Sequence, residues 1–114
     1  MHIISKILIV IIALFHLYFL WLEMFAWTTK AKKVFRTIPE DLFEKTKVLA
    51  ANQGLYNGFL SAGLLWSLAI SDGIWSRNIA LFFLFCVAIA GVLELILLQK
   101  KYFMCKHFLQ LLLF

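Results

Sequence analysis

From Ile7 to Trp27 the chain is apolar except for His16 and Glu23. That run of roughly 20 residues is long enough, as a helix, to cross about 30 Å of hydrocarbon. A second run of similar length extends from Ile79 to about Leu98 and carries Cys86, Gly91 and Glu94. A third, Val48 to Ile70, is as long but holds Asn52, Gln53, Asn57 and Ser61. The chain is 64% hydrophobic and 15% charged, with a mean hydropathy of +0.94 over 114 residues. A soluble domain averages roughly 45–50% apolar and about 25% charged, and one of this size could not hide so much apolar surface. The expectation is one membrane-embedded helical domain over residues 1–114. Lys6 ahead of the first run suggests a signal peptide, but the run is too long and lacks a small-x-small cleavage site. It is read as a retained transmembrane helix.

Between the runs the chain is charged. Thr28 to Lys47 holds Lys30, Lys32, Lys33, Arg36, Lys45 and Lys47. Thr37-Ile-Pro-Glu40 fits a capping box, so one helix is expected to start there and continue across the membrane to Ile70. Ser71-Asp72-Gly73 signals a turn, with the loop continuing through Ser76-Arg77-Asn78. Gln99-Lys100-Lys101 ends the third crossing. Tyr102 to Phe114, with Lys106, His107 and Gln110, reaches only about 20 Å as a helix, a short fourth segment. The expected architecture is an all-α, integral membrane four-helix bundle. The 28–47 loop and the 99–101 turn share one side and hold eight Lys/Arg, against Lys6 and Arg77 on the other. The positive-inside rule then places that loop in the cytoplasm and both termini outside an inner (plasma) membrane. The net charge of +5 is therefore read as topology, with the lipid bilayer as partner and no nucleic acid. Cys86 and Cys105 lack metal-ligand or CxxC spacing, so inert thiols and neither metal nor cofactor are expected.

Within the second crossing, Gln53, Asn57 and Ser61 step by four and form a polar stripe on one helical face. Gly54, Gly58 and Ala62 step by four beside it, and small residues at that spacing let helices approach closely in a membrane. Internal packing is the expected use, although the same stripe could serve a homodimer. Counting about 1.5 Å per residue from the cytoplasmic ends puts Glu23, Asn52, Gln53, Glu94, Lys106 and His107 at roughly 6–8 Å depth. Tyr56 and Asn57 fall at roughly 12–14 Å, and His16 at about 16 Å. His16, Glu23 and Trp27 share a face of the first helix, which should look at the Gln53/Asn57 stripe.

These groups have a plain structural use. Amides in membrane bundles serve as interhelical glue worth about 0.6–2 kcal/mol. Glu94 and Lys106 are expected to neutralise each other as a structural ion pair. Glu23 among three amides is harder to explain by packing alone, because an intramembrane carboxylate is costly to keep.

His16-Leu-Tyr, Leu22-Glu-Met-Phe-Ala-Trp27 and Ala51-Asn-Gln-Gly-Leu-Tyr-Asn-Gly58-Phe-Leu-Ser-Ala-Gly63 resemble the small four-helix bacterial membrane proteins grouped as domain of unknown function thirteen-oh-four. Phe82-Phe-Leu-Phe-Cys86 and Ala90-Gly91 also fit. The resemblance implies a membrane location and four helices, and lends no activity. The chain has Phe15 where the family has an acid, and Gly91-Val-Leu-Glu94-Leu where it has Gly-x-Tyr-Gly-Ala. It has Lys106-His-Phe-Leu-Gln110 in place of Gln-Gly-x-Pro-Ala.

Three functional readings stay open. In the first, a small-molecule binding or transport module uses His16, Glu23, Trp27, Asn52, Gln53, Tyr56 and Asn57 as ligand-binding residues. Its ligand would be a small amphipathic or cationic molecule between aromatic walls. In the second, an intramembrane enzyme acts on a lipid-like substrate with His16 and Glu23 as acid–base pair. In the third, the chain is a structural or accessory subunit. Haem ligation by His16 and His107 is disfavoured by their different depths.

Overall fold

The computed structural model describes residues 1–98. They form α1 (Ile3–Met24), α2 (Ala31–Val34), α3 (Glu40–Lys45), α4 (Lys47–Ala69) and α5 (Gly73–Leu98), with no strand among the described residues. Two of these helices, α1 and α5, are long and apolar enough to cross a membrane. The expected fourth segment, and with it Lys106, His107 and Cys105, lies outside the described residues.

Packing is organised by α4, which lies along both α1 and α5 while those two hardly touch each other. The reason is side-chain size. A Cβ on Gly54 would sit 2.6 Å from Met24 Cγ, 3.1 Å from Glu23 Cβ and 3.2 Å from the Leu20 carbonyl oxygen. Only a glycine allows that approach, and Gly58 faces Leu20 one turn on. Ser61 completes this face, wholly buried, its hydroxyl donating to the Ala13 carbonyl at 3.0 Å. On the other side of α4, Gly63 leaves room for the ring of Phe83 on α5. Ala62, expected on the packing stripe, is exposed. The close-packed seam with α1 bends from Gly54 and Gly58 to Ser61, because the helical repeat of 3.6 drifts off a strict step of four.

The first helix ends sooner than expected. The amides of Phe25 and Ala26 both donate to the Trp21 carbonyl, at 3.0 and 3.1 Å, which stops the regular ladder. Trp27 therefore leaves the helix and turns into a small core of Leu22, Ala26, Ala31, Ile38, Phe43 and Ala50. Its ring meets Phe43 at 4.9 Å and Phe35 at 5.8 Å between centroids. The charged 28–47 stretch is thus a folded cap over one end of the helices, with its cations outside and this core beneath.

Two expectations about the cap are corrected. The capping box does not form: α3 starts at Glu40 with Pro39 as N-cap and no side-chain cap. Starting after Pro39 leaves Thr37 too far upstream to reach the first amides, and the Glu40 carboxylate instead faces Lys32 Nζ at 3.5 Å. Nor is the helix continuous to Ile70. It breaks at Thr46 (φ −109°, ψ 10°), whose hydroxyl donates to the Leu42 carbonyl at 2.7 Å and accepts from Trp27 Nε1 at 3.0 Å.

At the opposite end the turn is tighter than expected, and Ser76-Arg77-Asn78 belongs to α5. Asp72 Oδ1 accepts from the amides of Ile74 (2.9 Å) and Trp75 (3.2 Å), an N-cap that starts α5 at Gly73. Ser76 then donates to the Ser67 carbonyl at 2.6 Å, fastening the start of α5 to the end of α4.

Candidate functional site

Where α1 and α5 fail to meet, the α4 polar stripe is left facing a gap. The gap is a cavity of about 340 Å³. His16, Phe19 and Glu23 of α1 line it with Gln53, Tyr56, Asn57 and Leu60 of α4 and Phe35 of the cap. Val87, Ala90, Gly91 and Glu94 form its α5 wall, at the i, i+3, i+4, i+7 spacing of one helical face.

The centre of the site is a contact between α1 and α4. Asn57 Nδ2 donates to Glu23 Oε1 at 2.5 Å. Gly54 makes this possible, since its missing side chain brings the Glu23 backbone against α4. One carboxylate oxygen is thereby engaged, leaving Oε2 for other partners. His16 is oriented differently: its Nδ1–H donates to the Ile12 carbonyl at 2.9 Å, and its ring packs edge-on to Phe19 at 6.3 Å. With Nδ1 as donor, Nε2 of the neutral ring is an acceptor. No Lys or Arg among the described residues lines the cavity. Carboxylates, amides, an imidazole and a phenol surround a space walled by Phe19 and Phe35. Such a lining offers acceptors and π-faces to a cation.

Five of the seven expected ligand-binding residues, His16, Glu23, Gln53, Tyr56 and Asn57, line this one cavity. Two do not. Asn52 is exposed on the outer side of α4, one residue and hence about 100° from Gln53. Trp27 is 4% exposed in the cap core and is bonded to Thr46. It supports the wall residue Phe35 rather than forming the wall itself. Glu94, expected in an ion pair with Lys106, lines the cavity with Glu23. Its face was readable, since Val87, Ala90 and Gly91 precede it at helical spacing. Phe35 had no such signal.

A second, larger cavity of about 940 Å³ opens at the other end of the α1–α5 cleft, between Leu8, Ile12, Ile74 and Leu84, with Asp72 and Arg77 at its rim. It holds none of the expected site residues.

Uncharacterized protein YpaA of Lactococcus lactis subsp. lactis (strain IL1403) is 34% identical over 97 residues, which cover 82% of this chain and 81% of that protein. No solved structure matches the chain significantly. A family described as protein of unknown function (DUF1304) matches residues 10–113. With nearly the whole chain inside that match, and the Glu23, Gln53 and Asn57 positions within it, the protein belongs to the DUF1304 family.

Proposed function

We propose that this chain is a multi-pass inner-membrane protein whose α1–α4–α5 cavity binds, and serves to transport, a small organic cation. Membrane insertion is supported by the outer faces of α1 and α5, where Ile3, Phe15, Phe82, Phe85 and Ile89 are all more than half exposed. Large apolar side chains in such numbers need lipid or protein against them. The cap cations Lys30, Lys32, Lys33, Arg36, Lys45 and Lys47, against Lys6 and Arg77 at the other end, support a cytoplasmic cap by the positive-inside rule. With a fourth crossing, both termini lie outside. The cavity then opens near the cytoplasmic leaflet.

One observation carries the ligand class: Glu23, held on one oxygen by Asn57, faces an aromatic-walled cavity with no Lys or Arg among the described residues that line it. In a low-dielectric space an unmatched carboxylate attracts a cation far more strongly than in water. Phe19, Phe35 and Tyr56 add quadrupole attraction. Ammonium N–H groups would meet Glu23 Oε2, the Gln53 carbonyl oxygen and His16 Nε2.

The test is calorimetric titration of the purified full chain in detergent with n-butylammonium and with 1-butanol, its neutral counterpart in shape. The ammonium is expected to bind and the alcohol not, and Glu23→Gln to abolish binding. Equal binding by wild type and Glu23→Gln, with unchanged uptake into proteoliposomes, would remove the reading.

A second reading has one observation in its favour. His16 and Glu23 line the same cavity, separated along α1 by about 10 Å, so a lipid-like substrate could bridge an acid–base pair. Deuterium incorporation from D2O into lipids of proteoliposomes, lost in His16→Gln, would identify such an enzyme. No incorporation would exclude proton exchange into those lipids.

A further inference from the structure

The cavity holds two carboxyl groups, and a single ammonium group on Glu23 engages only one of them. Glu23 enters from α1 and Glu94 from α5, and both line the same space. The other titratable groups facing it are His16 on α1 and Tyr56 on α4, while the cap contributes the apolar Phe35. The ion pairs among the described residues join Lys32 to Glu40 and Lys45 to Asp41, both in the cap. Neither cavity carboxylate has a Lys or Arg partner among these residues, and His16 is the basic side chain that faces them.

The two acids also share a level. The early residues of α1 and α5 (Ile12, Leu84) line the far cavity and the later ones (His16 to Glu23, Val87 to Glu94) this one, so the two helices run side by side in the same direction. Glu23 and Glu94 each stand seven residues beyond the first α1 and α5 residue of the lining, His16 and Val87. Across the cavity they are near enough for the charge on one to act on the other. A cavity of about 340 Å³ lies at the small end of the roughly 300–1,000 Å³ range of ligand sites, which suits a short-chain ligand.

We propose that Glu94 is a second anchoring carboxylate and that the ligand is a short aliphatic dication, a diammonium with one charge on Glu23 and the other on Glu94. This rests on the cation-binding reading above and narrows it. A monocation on Glu23 leaves Glu94, which is exposed and lines the same cavity, unengaged. A second ammonium gives it a charge-assisted hydrogen-bond partner.

The experiment compares 1,4-diaminobutane with n-butylammonium on the full chain in detergent at neutral pH, by calorimetry, in wild type, Glu94→Gln and Glu23→Gln. Wild type is expected to bind the diamine about tenfold more tightly than the monoamine. Glu94→Gln should bring that ratio close to one. The wild-type ratio stands even where a variant does not fold. Equal binding of the two probes by wild type overturns the dication proposal while leaving the monocation reading intact, as when Glu94 keeps a proton or pairs within the chain. A ratio that survives Glu94→Gln also overturns it. Failure of both probes to bind wild type removes the cation reading itself.

Discussion

Asn57 on α4 donates to Glu23 on α1 at 2.5 Å, tying the polar stripe of one helix to the only carboxylate of the other. The bond works twice. It satisfies a half-buried acid, and it fixes which carboxylate oxygen is left to face the cavity. Asn57→Ala should lower stability by about 1–2 kcal/mol, since Glu23 then keeps its burial and loses its donor. Reversible unfolding in mixed detergent micelles measures this. A variant as stable as wild type would show that the amide makes no net contribution.

The seam behind that bond depends on Gly54. Alanine there gains helix propensity of about 1 kcal/mol but places a methyl against the Leu20 carbonyl and Glu23 Cβ. Met24 can swing away; the α1 backbone cannot. Gly54→Val, with its larger side chain, should destabilise by about 2–3 kcal/mol. Ala62→Val, on the exposed side of the same helix, should stay within about 0.5 kcal/mol of wild type. The same unfolding assay compares them.

In the cap, Trp27 and Thr46 should behave as a unit. Trp27→Phe keeps the aromatic contacts and removes the donor to Thr46 Oγ1, with an expected loss of about 1 kcal/mol. Thr46→Val removes the acceptor and also the hydroxyl's own bond to the Leu42 carbonyl. In a double-mutant cycle the two should be non-additive by about 0.5–1 kcal/mol. Strict additivity would mean that the indole bond is not formed in solution.

Neighbouring amides on α4 should separate cleanly. Gln53 lines the cavity and Asn52 does not. Gln53→Leu is expected to weaken n-butylammonium binding about five- to tenfold, and Asn52→Leu to leave it unchanged. Calorimetric titration of the two variants checks this. The opposite order would put the ligand on the outer face of α4.

Much of this arrangement was legible in the sequence because it follows helical periodicity. Gln53, Asn57 and Ser61 share a face, Gly54 and Gly58 adjoin it, and an acid among apolar residues must look inward. What periodicity could not supply came from outside the regular helices. Helical spacing puts Trp27 on the face of Glu23, but α1 ends at Met24 and a partner nineteen residues later, Thr46, decides where the indole goes. Phe35 reaches the cavity from the cap, a long-range consequence of the Trp27–Phe43 core. Glu94 is a different case. Charge neutralisation nominated Lys106, which lies outside the described residues, while the helical face running from Val87 brings Glu94 to the cavity with Glu23.

The hydroxyl and amide that α4 spends on α1 bear on how the chain is assembled. On the membrane reading, α1 and α5 are apolar enough to partition into lipid unaided, and α4, with its amides and hydroxyls, is not. Ser61 and Asn57 find their partners on Ala13 and Glu23, residues already synthesised when α4 emerges. Biogenesis would then proceed by pairs, the first span waiting at the translocon to escort a companion that could not enter alone.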